Sequence, residues 1–98
     1  MNRLYATWLR VWAMGHGLKV TFSPLTQGIC YMCTSRGFCR EEGGKRERMS
    51  EMDFQRLLDE IAQNPAQWRI FVEKEALETP HPWEWEELCR AVRQQVQA

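Results

Sequence analysis

Ninety-eight residues, 44% of them apolar and 27% charged, suit one compact domain and exclude a wholly disordered chain. Thirteen basic side chains balance thirteen acidic ones, so net charge points to neither a polyanion nor a membrane surface as partner. No run approaches the ~18 apolar residues of a membrane span.

The opening Met1-Asn2-Arg3-Leu4 does not read as a secretory leader, because Arg10 interrupts the apolar residues that follow it. The expectation is a cytoplasmic chain whose four cysteines are thiols or metal ligands rather than disulfides. Charge is unevenly spread. Residues 1–49 hold eight Lys/Arg against three Glu, and residues 50–98 hold five against ten Asp/Glu. Such polarity either steers a partner or lets the two halves attract each other.

In chain order, residues 2–14 read as an amphipathic helix with Leu4, Trp8, Val11 and Trp12 on one stripe, closed by Gly15-His16-Gly17. Residues 18–22 alternate apolar and polar side chains, as a half-buried strand does. A Pro/Gly turn over residues 23–28 leads to a second strand from Ile29 to Ser35, giving a β-hairpin with a cysteine cluster over residues 18–40. Residues 41–48 read as a charged loop hinged at Gly43-Gly44, which either continues as a third strand or hangs as a mobile arm.

From Ser50 the pattern turns helical, with a capping arrangement at Ser50 and Asp53 and an apolar stripe of Met52, Leu57, Leu58 and Ile61. Pro65 opens a second helix carrying Trp68, Ile70, Phe71, Val72, Ala76 and Leu77. After the joint Thr79-Pro80-His81-Pro82, a third helix carries Trp85, Leu88, Cys89, Val92 and Val96, so that residues 50–97 form a helical region. The expected fold is therefore a single α+β domain over residues 1–98. It comprises an N-terminal helix, a small antiparallel hairpin or three-stranded sheet, and three C-terminal helices.

Cys30-x2-Cys33-x5-Cys39 is the one grouping with a chemical spacing. A CxxC turn lets two thiolates reach one ion, and Cys89 or His16, less readily His81, completes a structural zinc site. Zinc suits a small domain, since its binding energy becomes folding energy. On a regular strand, however, Cys30 and Cys33 face opposite ways, and Cys89 fits the apolar stripe of its helix. The bland alternative is a set of buried or idle thiols.

The same spacing resembles the last three cluster ligands of the WhiB-like regulators and of endonuclease III-type DNA glycosylases, which implies an iron–sulfur cluster. The glycosylase pattern needs a cysteine where this chain has Ser23, and the WhiB-like pattern needs one upstream, where only His16 stands. No function is carried over on three residues. A thiol redox pair is a further reading, weakened because no helix pattern follows the CxxC.

Five tryptophans are many for this length and suit a protein interface or a small core. Trp83 and Trp85, placed two apart on one helix, cannot both face inward, so one of them is expected at a contact. Arg36, Arg40, Lys45, Arg46 and Arg48 form a basic patch able to meet phosphates, with Tyr31 or Phe38 to stack on bases. The acidic C-terminal helices speak against a helix-turn-helix. Neither histidine sits in a nucleophile–base–acid motif, and no phosphate-binding loop is present.

The function expected is non-enzymatic: a protein-binding regulator or inhibitor that acts by contact. In size and style the chain resembles phage-encoded counter-defence proteins, inhibitors of CRISPR systems among them, with no motif behind the likeness. The rivals are a zinc- or iron–sulfur-binding regulator touching nucleic acid through the basic loop, and a thiol redox protein.

Overall fold

The computed structural model describes residues 3–75 and 79–97. Three helices pack on a six-stranded, wholly antiparallel sheet, in the order α1 (Ala6–His16), β1 (Leu18–Pro24), β2 (Ile29–Thr34), β3 (Gly37–Glu42), β4 (Lys45–Met49), α2 (Glu51–Gln63), β5 (Trp68–Lys74), β6 (His81–Trp83) and α3 (Trp85–Gln97). Across the sheet the strands run β4-β3-β2-β1-β5-β6. This corrects the expectation of a hairpin or three-stranded sheet followed by three C-terminal helices.

Two segments account for the difference. Trp68–Lys74, expected as a helix, is β5, and it pairs with the whole of β1 from Leu18↔Lys74 to Pro24↔Trp68. Ile70 and Val72 are buried on one side while Arg69 and Glu73 lie on the other, a period of two that β-branched residues favour. Phe71 obscures that period because it is apolar on the polar side. Pro65 opens only a short 3-10 turn, Pro65–Gln67.

The supposed charged loop is the second segment. Gly43 and Gly44 have φ of 59° and 80°, the conformation a two-residue hairpin turn needs, and Glu42 faces Lys45 across it. The joint before the last helix likewise holds β6, which pairs with Val72 through Ile70; Pro82 is tolerated there because the strand is an edge. Ala76 and Leu77 of the expected middle helix lie outside the described residues, as do Asn2 and the Val96 side chain.

The core is one cluster in which Val20, Phe22, Cys33, Phe38, Ile70 and Val72 meet the buried sides of all three helices. On α1 the inward residues are Leu9, Trp12 and Ala13, and Val11 is 56% exposed, so the stripe is rotated from the one expected. On α2 they are Phe54, Leu57, Leu58 and Ile61, whereas Met52 is 66% exposed.

Local polar contacts set the helix ends. The Ser50 side chain accepts the Asp53 N–H at 3.1 Å, and Gly17 (φ 63°) closes α1 by donating to the Ala13 and Met14 carbonyls. Gln55 ties α2 to the start of α1: its Oε1 accepts the Ala6 N–H at 2.6 Å and its Nε2 donates to the Leu4 carbonyl at 3.3 Å. One of the unpaired N–H groups at the head of α1 is thereby satisfied. Among the described residues no helix is long and apolar enough to cross a membrane.

Candidate binding face

Because side chains alternate along a strand, burying Val20, Phe22, Cys33 and Phe38 under the helices sends their neighbours to the opposite side of the sheet. That side carries Thr21, Cys30, Met32, Cys39 and Phe71 at its middle. Among the described residues, no helix covers it: the buried residues of all three helices join the cluster on the other side.

The middle of this face is apolar. Met32, on β2 between Thr21 of β1 and Cys39 of β3, is only 3% exposed although it lies outside the main core. It sits in a groove of about 280 Å³ lined also by Lys19, Thr21, Cys30, Glu41, Phe71, Glu73 and Pro80. Charged side chains rim the groove in cross-strand pairs, Lys19 with Glu73 at 3.5 Å and Arg46 with Glu41 at 3.9 Å.

Beside the groove lies a basic depression of about 310 Å³, lined by Thr34, Arg36, Gly37, Phe38, Cys39, Arg46 and Arg48, with no carboxylate among its walls. Its arginines come from two hairpins. Arg46 and Arg48 stand two apart on β4, and Arg36 sits in the β2–β3 turn. Glu75 secures that turn by accepting the Ser35 N–H at 2.7 Å and the Ser35 hydroxyl at 3.0 Å. These bonds hold the Glu75 carboxyl below its ordinary pKa.

The basic residues expected to act together are divided by the pleat. Arg40 and Lys45 project from the helix-covered side of the β3–β4 hairpin, where Arg40 pairs with Glu42 at 2.8 Å and Glu47 at 3.9 Å, and Lys45 with Glu47 at 4.0 Å. Only Arg36, Arg46 and Arg48 remain on the depression. Tyr31 and Phe38, the candidate base-stacking residues, have their rings on the helix side, Phe38 stacked on Phe54 at 4.5 Å and Tyr31 beside Trp68 at 5.9 Å.

The tryptophans also move. Trp83 ends β6 and Trp85 opens α3, so they do not share a helix and both turn inward. Trp85 is 8% exposed, and Trp83 is half-buried against Trp12 with ring centres 5.7 Å apart. Neither is the exposed anchor that one-helix spacing suggested.

Cys30, Cys33, Cys39 and Cys89 do not converge. Cys33 and Cys89 are fully buried in the core, the latter on α3, while Cys30 and Cys39 lie half-buried on the uncovered face. Cys30 and Cys33 point to opposite sides of β2, so a bridge between them needs the backbone to move. Among the described residues, no group of three or more His, Cys, Asp or Glu is gathered for a metal ion. His16 ends α1 beside the Trp12 ring, and His81 is on the edge strand β6.

Burial raises the Cys33 thiol pKa to about 12, with Arg10 offsetting part of the rise, and raises Cys89 to about 11. Reactivity should divide accordingly. At about pH 8 an alkylating reagent should modify Cys30 and Cys39 in the folded chain and reach Cys33 and Cys89 only after unfolding, because both protonation and burial protect the latter pair. Mass spectrometry of the adducts checks this, and rapid labelling of Cys33 would contradict its placement.

Sequence reasoning missed Met32, Thr21 and Phe71 as a group. The signal lay in the alternation of residues 18–22 and 68–74, whose polar phase carries Phe71 out of turn. Comparison with protein-family models, with curated proteins and with solved structures finds no match to this chain.

Proposed function

We propose that this chain is a non-enzymatic regulator, in its simplest form an inhibitor, that holds a partner protein on the uncovered face of its sheet. The observation that carries the reading is the groove floored by Met32 and walled by Phe71 and Cys30, with paired charges at its rim. An apolar centre inside a polar border is the anatomy of a protein interface. A protein partner is favoured over nucleic acid because the Tyr31 and Phe38 rings pack against Trp68 and Phe54 on the helix side, leaving Phe71 as the aromatic ring on the uncovered face.

The test combines capture from the source cells with measured binding of the purified captured protein. Phe71→Ala and Thr21→Arg should each weaken that binding by about 30-fold or more, the scale of a central interface residue. Both variants should keep the native circular dichroism. Val11→Ala, altering an exposed residue on the far side of the molecule, should bind as the parent does. Unchanged affinity in Phe71→Ala and Thr21→Arg, or a captured species destroyed by nuclease, would rule the reading out.

A further inference from the structure

We infer that the partner presents an extended acidic segment, which adds to the sheet as a seventh strand along β4. The inference rests on the protein-binding reading above and specifies the chemistry of what is bound. Its basis is the contrast between the two edges of the sheet, β4 and β6. β6 is three residues long with Pro82 at its centre, so its middle residue has no N–H to offer a new strand. β4 is five residues long, four of them exposed, and its outer backbone groups face away from β3. An exposed edge of this kind is a template for strand addition.

Charge then selects the occupant. Lys45, Arg46 and Arg48 outnumber Glu47 on this strand, and Arg46 and Arg48 share one side with Arg36 around the basic depression. Arg36 and Arg48 make no ion pair among the described residues, and Arg46 has one at 3.9 Å. A strand laid beside β4 with carboxylates at alternate positions would set them opposite Arg46 and Arg48, with Arg36 within reach at the far end. Opposite charges facing each other across a ladder stabilise the pairing.

The same charges disfavour a second copy of the chain in two of the three central registers. Side chains match face to face only when β4 pairs antiparallel with itself about one of its own residues. Centred on Glu47, that pairing sets Glu47 on Glu47 and Arg46 on Arg48; centred on Arg48, it sets Arg48 on itself with no opposite charges facing; centred on Arg46, it sets Arg46 on itself but Lys45 opposite Glu47. Like charges directly opposite are destabilising, so the Glu47- and Arg48-centred registers oppose self-pairing, whereas an acidic strand meets both arginines with opposite charge.

The experiment titrates the full chain, labelled for amide NMR, with a ten-residue peptide of alternating Glu and Val. Three further probes accompany it: the same peptide with its pairing-edge amides N-methylated, its Lys/Val counterpart, and an oligothymidine of equal length. The Glu/Val peptide should shift the amides of Lys45–Met49 and Arg36, and its affinity should fall as salt is raised. Arg46→Glu combined with Arg48→Glu should weaken it by about tenfold or more, since two attractive pairs become repulsive. The N-methylated and Lys/Val peptides should not bind.

Equal binding by the N-methylated peptide would mean that charge alone attracts it, and strand addition would be wrong. Tighter binding by oligothymidine, or shifts confined to other strands, would also overturn the inference. If the Glu/Val peptide fails while Phe71→Ala still weakens partner capture, the acidic strand is excluded and the uncovered face stands as the binding surface.

Discussion

Phe54→Ala should lower the free energy of unfolding by about 3–5 kcal/mol, the usual cost of removing a large buried aromatic ring. Phe54 is fully buried on α2, stacked on Phe38 with ring centres 4.5 Å apart and meeting Phe22 edge-on at 6.0 Å. One ring therefore joins the helix to two strands, β1 and β3. Small domains have only about 5–15 kcal/mol in total, so this variant should be near unfolding at ordinary temperature. Met52→Ala, on the exposed side of the same helix, should change stability by less than about 0.5 kcal/mol. Urea titration of both variants tests the contrast, and a loss under about 1 kcal/mol for Phe54→Ala would be incompatible with its place in the core.

The second large effect concerns the cysteines, whose similar spacing hides different surroundings. Cys33→Ser should cost about 1–3 kcal/mol, because it leaves a hydroxyl in the core between Val20 and Phe38, to which Cys33 is paired on either side. Cys30→Ser should cost less than about 0.5 kcal/mol. The Cys30 thiol already lies 3.2 Å from the Ser23 hydroxyl, so a serine there keeps a hydrogen-bonding partner. Cys39→Ser, on the same half-exposed face, should behave likewise. Thermal unfolding of the three variants, with and without a chelator, provides the check. Equal losses at Cys30, Cys33 and Cys39 together with chelator sensitivity would join them in one metal site and overturn their separation.

That separation was already legible in the residues. A strand from Ile29 to Ser35 puts Cys30 and Cys33 on opposite faces by parity alone, which conflicts with a shared ion. The sheet keeps that parity: Cys33 pairs with Val20 on the buried side, and Cys30 with Glu41 on the other. The Ser50 cap was legible for a similar reason, since a side chain accepting from the N–H three residues on is a local event. Gly43-Gly44 carried the correct hairpin signal too, but the charges around it resembled a solvated loop, and nothing local shows that β3 and β4 have a sheet to join.

Trp68–Lys74 is the segment where local pattern and fold part most widely. A run so dense in apolar residues satisfies both helical and strand patterns at short length, and Phe71 breaks the alternation. The competition was decided by β1, which gives β5 a pairing partner along all seven of its residues. Once that segment became a strand, Trp83 and Trp85 lost their common helix and both turned inward. The candidate site moved with them, from tryptophans to the uncovered face.

By itself, the sequence determined what depends on neighbours in the chain: helix caps, hairpin turns, and the parity that places each side chain on one side of a strand or the other. The tertiary structure decided which of those sides is covered, because that depends on strand order and on where three helices settle, both set by contacts between residues far apart in the chain. Arg40 and Arg48 illustrate the division. They are alike in composition and close in number, yet one is neutralised on the helix side and the other faces the basic depression, because β3 and β4 present opposite phases of the same pleat.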